Sequence, residues 1–318
     1  DGTNAADFTV GSLGAATLAP NTSTTFTVTF APGAAGSRTA ALHLASNDAD
    51  ENPFDISLTG TGVAVPEIAV EQPAGTNLSA GSASIDCGRV ILGSTSGAFT
   101  ITVKNIGTAD LTGLAVSKDG TNAADFTLGS LGATTLAPNT STTFSVTFEP
   151  GAAGSRTAAL HLASNDADEN PFDISLTGTG ITAFQGWMTA AGVPPDQAGP
   201  EQMPQGDGIP NLLKFAFNMD PTKPDVRVLT VGADGTAGLP GGAVVGGVFR
   251  IEFLRRKALT NPGITYQTEF SSNLVSWVDL TLFAVATSID ETWERVVVDD
   301  PYSWVSKRFG RMKVVLVP

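Results

Sequence analysis

Asp1-Gly2-Thr3-Asn4-Ala5-Ala6-Asp7-Phe8-Thr9 opens the chain, and the same residues stand again at Asp119–Thr127. The agreement runs without a gap from Asp1–Gly62 onto Asp119–Gly180, an offset of 118 residues. Four positions differ: Val10/Leu128, Ala16/Thr134, Thr27/Ser145 and Ala31/Glu149. Identity this close at so long a period marks recently duplicated modules, each a folding unit in its own right. The full unit runs from Val63 to Gly180, a usual size for one β-sandwich.

Strand signals recur at short intervals inside that unit. Pro66–Val70 and Ala83–Cys87 come first, and Ala98–Val103 alternates with period 2 as a half-buried strand does. Leu114–Val116, Phe126–Leu128 and the strongest run, Thr143–Phe148, follow. After the turn at Pro150-Gly151, Ala158, Leu160 and Leu162 share one face, and Phe172, Ile174 and Leu176 close the module. Gly, Asn, Asp and Pro clusters separate the runs, and no helical period competes. The expected fold is all-β: tandem immunoglobulin-like β-sandwiches, a short helical linker and a smaller C-terminal β-sandwich.

Composition agrees. Thr, Ser, Ala and Gly are abundant and charged residues scarce, as in secreted all-β proteins. A net charge of -14 repels polyphosphate and anionic lipid, which argues against nucleic acid as a partner. Cys87 is the single cysteine, so no intrachain disulfide forms. No run of about 18 apolar residues offers a membrane span.

Several motifs carry a family resemblance. Pro66-Glu67-Ile68, Asn105-Ile106-Gly107-Thr108-Ala109-Asp110-Leu111, Phe144–Phe148, Ser164-Asn165-Asp166 and Leu176-Thr177-Gly178-Thr179-Gly180 occur in order. Together they resemble the bacterial choice-of-anchor D repeat, in the hydin-like, major-sperm-protein-like branch of immunoglobulin folds. The resemblance covers residues 1–180. It implies a long, multi-domain secreted or surface protein without enzyme activity. Cys87 departs from the pattern, where the family usually has a bulky aromatic, and a small buried hydrophobe suits a core position there.

Residues 1–62 match only the second half of the sandwich; the counterparts of Val63–Lys118 are missing. Such a half exposes an apolar face and unpaired strand edges. Two readings stay open. The polypeptide continues upstream of Asp1, or other copies or neighbouring repeats supply the missing strands by β-strand complementation at residues 1–62 and build a polymer.

Past Gly180 the pattern changes. Ala183–Met188 and Ile209–Phe217 read as short helices around a Pro-rich stretch, giving a helix-loop-helix linker over 181–225. Strand patterns return at Val248–Phe253, Thr265–Glu269, Glu294–Val298 and Phe309–Val317, which fits a smaller sandwich over 226–318. Gly206-Asp207-Gly208-Ile209-Pro210-Asn211-Leu212-Leu213, Asp220-Pro221, Phe253–Lys257 and Ser271-Ser272-Asn273-Leu274 before Trp277 resemble the C-terminal module of large exported proteins of the Verrucomicrobia type.

That resemblance implies a calcium loop, with Asp207 as ligand helped by Asp196, Glu201 and Asn211. Calcium takes six to eight oxygens, usually several from carboxylates, and this loop is poor in them. A helix-capping turn is the simpler reading. No other cofactor is implied. The acidic turn Asp166-Ala167-Asp168-Glu169, repeated from Asp48–Glu51, falls near a module junction, and a solvated loop competes there with a junction calcium. His43 and His161 alternate with inward leucines and belong on the outer face. Trp277, Trp293, Tyr302 and Trp304 either fill the core of the C-terminal sandwich or form a platform for a surface glycan. Arg255-Arg256-Lys257 reads as a solvated turn. No nucleophile elbow, phosphate loop or His-Glu-x-x-His pattern occurs, so the chain is expected not to be an enzyme. The expected function is an extracellular or cell-surface structural protein, a stalk or filament. An adhesin or carbohydrate-binding protein acting through residues 226–318, and the non-catalytic tail of a larger secreted enzyme, are the alternatives.

Overall fold

The computed structural model of the chain describes residues 1–260, 262–302 and 307–317. Strands dominate, and the chain folds as tandem β-sandwiches. Residues 1–62 carry β1 (Phe8–Val10), β2 (Val28–Phe30), β3 (Gly36–Leu44) and β4 (Phe54–Gly62). Among the described residues they pair only as two separate two-stranded sheets, β1-β2 and β3-β4.

The complete module adds β5 (Ile68–Glu71), β6 (Ala83–Ile91), β7 (Phe99–Asn105) and β8 (Ala115–Asp119) ahead of β9 (Phe126–Leu128), β10 (Ser141–Phe148), β11 (Gly154–Ala163) and β12 (Phe172–Ile181). Two four-stranded sheets result, in the orders β5-β7-β10-β9 and β6-β12-β11-β8. All their pairs are antiparallel except β6 with β12, which run parallel from Ala83↔Ile174 to Ile91↔Ile181. Alternation decides which face turns inward. In β10 it is Thr142, Phe144, Val146 and Phe148; in β12 it is Phe172, Ile174 and Leu176. The inner faces meet in one core with Ile85, Cys87, Ile101, Val103 and Leu111 from the first half. Phe126 and Phe148 stack at 4.9 Å between ring centroids.

Two glycines explain motif positions. A Cβ at Gly107 would lie 2.5 Å from the Glu67 amide nitrogen and the Val65 carbonyl oxygen, so only glycine lets the incoming chain cross there. A Cβ at Gly178 would meet the Phe148 ring at 2.6 Å. Asn105, fully buried, donates from Nδ2 to the Ala109 and Leu136 carbonyls and accepts the Gly107 amide on Oδ1. That satisfies the loop's buried backbone groups, which would otherwise cost free energy.

After Gly180 come α1 (Ala183–Ala190) and α2 (Asn211–Ala216). Thr182 caps α1 through a reciprocal pair: its Oγ1 accepts the Gln185 amide at 3.2 Å, and Gln185 Oε1 accepts the Thr182 amide at 2.9 Å. A second pair of sheets follows, formed by β13 (Gly241–Val245), β14 (Val248–Arg256), β15 (Ile264–Ser271), β16 (Val278–Asp279), β17 (Val285–Ser288), β18 (Trp293–Asp299) and β19 (Phe309–Leu316). Their orders are β13-β14-β18-β17 and β16-β15-β19. Phe184, Met188, Phe215 and Phe217 of the helical segment share one core with Phe253 and Tyr266 of the strands. Residues 181–225 are therefore not a linker: their apolar side chains supply part of the C-terminal core, which a sandwich this small needs. Arg255 and Arg256 belong to β14 rather than to a turn, and the Arg256 guanidinium lies 3.9 Å from the Phe215 ring centroid and 4.4 Å from that of Trp293. Burial there lowers its pKa to about 10.

Candidate functional site

The duplicated sequence provides an internal comparison. In residues 1–62, β3 and β4 pair from Gly36↔Gly62 to Leu44↔Phe54, the same register as Gly154↔Gly180 to Leu162↔Phe172 in the complete module. Asp7 binds Arg38 at 2.5 Å as Asp125 binds Arg156 at 2.5 Å. Local structure is thus the same, but the environment differs. Phe54 is 49% exposed and its counterpart Phe172 is 3% exposed. Phe30, Leu42, Ile56 and Leu58 are only half-buried, while Phe148, Leu160, Ile174 and Leu176 are buried. No apolar side chain large enough to form a core is buried between Asp1 and Gly62. Strand length responds as well. Ser141–Ser145 extends β10 where β7 pairs with it, and the equivalent Ser23–Thr27 is outside β2.

The acidic turn of the complete module has a different geometry from its first copy. Glu67, Asp166, Asp168 and Glu169 bring one carboxylate oxygen each to within 4.8 Å of one another. Asp166, 2% exposed, accepts the Ile68 amide on Oδ2 at 2.7 Å, and Glu169 Oε2 is buried without a hydrogen-bond partner. Burial pushes the Glu67 and Glu169 carboxyls up, and repulsion from neighbouring carboxylates adds to it. Among the described residues, these four are the group of acidic side chains placed closely enough to share a cation. Asp48, Asp50 and Glu51 of the first copy are all exposed, and no counterparts of Glu67 and Ile68 stand beside them.

The four residues singled out for calcium do not assemble into a cage. Asp207 Oδ2 lies 2.6 Å from Lys214 Nζ, and both side chains are almost wholly buried. The Ile209 and Asp225 amides also donate to Asp207, at 3.0 and 2.8 Å. Burial would raise the Asp207 pKa, and the Lys214 ammonium with these amides outweighs it, holding the carboxyl at about 2. Lys214 also donates to the Lys223 carbonyl at 2.8 Å. An internal ammonium and two backbone amides thus already compensate the Asp207 charge. Asn211 is buried and donates from Nδ2 to the Gln197 and Gly199 carbonyls, while Glu201 lies exposed and Asp196 contributes its backbone carbonyl to Gln202.

His161 sits between Asp173, 2.7 Å from Nδ1, and Asp119, 3.2 Å from Nε2, and these carboxylates raise its pKa. It bridges two strand surfaces. Trp293 is buried beside Leu254, and Trp277 is half-buried with the Arg311 guanidinium 4.0 Å from its ring centroid. Tyr302 is exposed, and Trp304 lies outside the described residues. Trp293 and Trp277 therefore do not form one open stacking platform. A cleft of about 790 Å³ lined by Arg89, Phe184, Met188, Val193 and Leu316 includes no carboxylate, histidine or cysteine along its wall. In another, of about 660 Å³, the one carboxylate among the described residues is Glu294, which Arg255 holds at 2.8 Å. Among the described residues, neither wall offers a general acid–base pair with a nucleophile.

Residues 76–170 match a family model. Its description is "ASH: Abnormal spindle-like microcephaly-assoc'd, ASPM-SPD-2-Hydin". That match supports a hydin-like, non-catalytic β-sandwich for this part of the chain. Among solved structures, a protein of unknown function from Porphyromonas gingivalis W83 aligns at 16% identity over 54% of this chain and 84% of that one, with a TM-score of 0.29. The human CEP192 ASH/PapD-like domain 7 aligns at 15% identity over 36% and 85%, with a TM-score of 0.26. The secreted serine protease VesC from Vibrio cholerae aligns at 14% identity over 73% of this chain and 49% of its own, with a TM-score of 0.27. No curated protein matches the chain in sequence. Among the described residues, no helix is long and apolar enough to cross a membrane.

Proposed function

We propose that this chain is a structural repeat protein of the cell surface or exterior, in which tandem sandwiches act as spacers and the helix-bearing C-terminal sandwich ends the array. The observation that carries this reading is the near-identical repetition of residues 1–62 at 119–180, in a module whose motif positions are occupied in packing. Gly107, Asn105, Gly178 and the Phe126–Phe148 stack serve the fold, and the clefts bring no reactive constellation together. The resemblance of residues 1–180 to choice-of-anchor D repeats, and of the C-terminal part to a module of exported proteins, supports a location outside the cell. Scarce charge and Thr-rich outer strand faces suit long soluble arrays.

Chains extended by further copies of residues 63–180 test it. The nine-residue β6 at roughly 3.3 Å per residue sets a module length of about 30 Å. Electron microscopy and small-angle scattering should show a rod whose maximum dimension grows by at least that amount per added module. Collapse into a globule whose length does not grow with repeat number would refute the spacer role.

A further inference from the structure

His161 stands on β11 between a carboxylate from each neighbouring strand, and both of its ring nitrogens are engaged. Nδ1 lies 2.7 Å from Asp173 on β12, and Nε2 lies 3.2 Å from Asp119, the last residue of β8. A neutral imidazole carries one N–H and one lone pair, so only the imidazolium satisfies two carboxylates at once. We propose that His161 is a proton-operated latch on β8: charged, it ties the end of that strand to β12 across β11, and uncharged, it lets that end go. This goes beyond the spacer role and does not rest on it, since it concerns one sheet of one module.

The place suits a latch. β8 is the outer strand in the order β6-β12-β11-β8, and it pairs with β11 over five residues, from Ala115↔Ala163 to Asp119↔Ala159. An edge strand is bonded on one side only, so it opens before the central ones. Nε2 is shut off from solvent, so no water comes between it and Asp119 when the proton leaves. Lone pair and carboxylate then face each other, while Nδ1, at the shorter distance, keeps its proton for Asp173.

No neighbouring charge takes over this task. On β8, Lys118 donates to the Ala123 and Phe126 carbonyls. Arg156, the other charged residue of β11, binds Asp125 of the turn beside it. Asp86 and Arg89 lie on β6, beyond β12, opposite Thr177 and Thr179. The same three residues recur as Asp1, His43 and Asp55, at 3.1 and 2.6 Å from the ring, so the arrangement is encoded in the repeat. The flanking carboxylates raise the His161 pKa above its ordinary value near 6.5. The tie is therefore whole below that ordinary value and is lost as pH rises through the raised one, so β8 loosens on the alkaline side.

Amide hydrogen exchange on the whole chain reads β8 directly, because the sequence of residues 115–118 occurs once. Rates are corrected for the intrinsic effect of pH and referred to β10, a central strand of the same module. From about pH 5 to about pH 9, protection over 115–119 should fall roughly two- to fivefold relative to β10, the range of a partly exposed ion pair. His161→Gln should hold that ratio constant across the range. Asp119→Asn, which puts an amide where the carboxylate stood, should remove the alkaline loosening. In a His43→Gln chain His161 is the one histidine, and its proton NMR signal should titrate above 6.5 and shift downward on adding Asp119→Asn. Four results overturn the proposal: protection over 115–119 that follows β10 at every pH, a pH dependence that survives in His161→Gln, loosening that persists in Asp119→Asn, or a native His161 that titrates at or below its ordinary value.

Discussion

The same substitution made in both repeats should have unequal effects. Leu42 and Leu160 occupy equivalent places in β3 and β11, within identical local sequence. Leu160 is fully buried in the core, whereas Leu42 is half-buried at an open face. Leu160→Ala deletes apolar contacts and leaves a cavity lined by rigid neighbours, which costs about 3 kcal/mol or more. Leu42→Ala removes a side chain that no core encloses, so its cost stays below about 1 kcal/mol. For a module of this size about 1 kcal/mol moves the melting midpoint by roughly 4 °C, so Leu160→Ala should lower it by about 12 °C. Scanning calorimetry at low protein concentration reads the shift. All tryptophans and tyrosines lie after Gly180, so their fluorescence reports the C-terminal domain and should hold its midpoint in both variants. Equal shifts for Leu42→Ala and Leu160→Ala would mean that the first half is enclosed as well as the second, and the reasoning about its open face would fail.

Other tests reach the remaining features. Lys214→Met leaves the Asp207 carboxylate buried without its ion partner, and should cost about 3–5 kcal/mol in urea unfolding followed by tryptophan fluorescence. Adding Asp207→Asn should restore at least half of that, and a single variant as mild as a surface pair would contradict the burial. Because Asp207 is held at about 2, its contribution is present above its unfolded value near 3.8 and is lost as pH falls from there toward 2, so Asp207→Asn should flatten the acid limb of the C-terminal transition. Glu67 and Glu169 shift the other way. Their raised pKa values weaken the module as pH rises through and beyond the ordinary carboxylate range, so Glu169→Gln should raise its calorimetric midpoint at pH 7 and leave it unchanged at pH 3. Burial pushes the Cys87 thiol up to about 11, so iodoacetamide should label it only after the module unfolds, and rapid labelling of the native chain would show that the core position is wrong.

Period-2 patterning in one sequence was enough to place β9 at Phe126–Leu128 and to put Ala158, Leu160 and Leu162 on the inner face, because strand alternation depends on neighbouring residues. It could not show that β6 joins β12 in parallel, since nothing local to Ala83–Ile91 encodes a partner some ninety residues away. Helices α1 and α2 were legible as helices, but their role was not. Phe184 and Phe215 looked like the apolar stripe of a linker until Phe253 and Tyr266 were seen across from them. Arg256 misled for a related reason: a basic run reads as solvated, and only tertiary structure brings Phe215 and Trp293 to its two faces. The acidic cluster was half visible. Asp166, Asp168 and Glu169 stand together in sequence, but Glu67 joins them from the start of the module, and that convergence gives the group its geometry. At Asp207 the signal that could have shown an internal partner was Lys214, seven residues on within α2, a cation placed to satisfy the carboxylate.

The two copies also separate what a half-repeat holds by itself from what it obtains from its other half. Asp7–Arg38 and Asp125–Arg156 form alike, as do the β3–β4 and β11–β12 registers, so these are properties of the second half alone. The core, the full length of β10 and the burial of Phe172 appear only where residues 63–118 are present. Hydrophobic burial at roughly 25 cal/mol per Å² is the main favourable term in such a fold, and here it lies almost entirely between halves rather than within them. The unit that repeats in the sequence can be counted from any phase, but the unit that folds begins near Val63 and ends near Gly180.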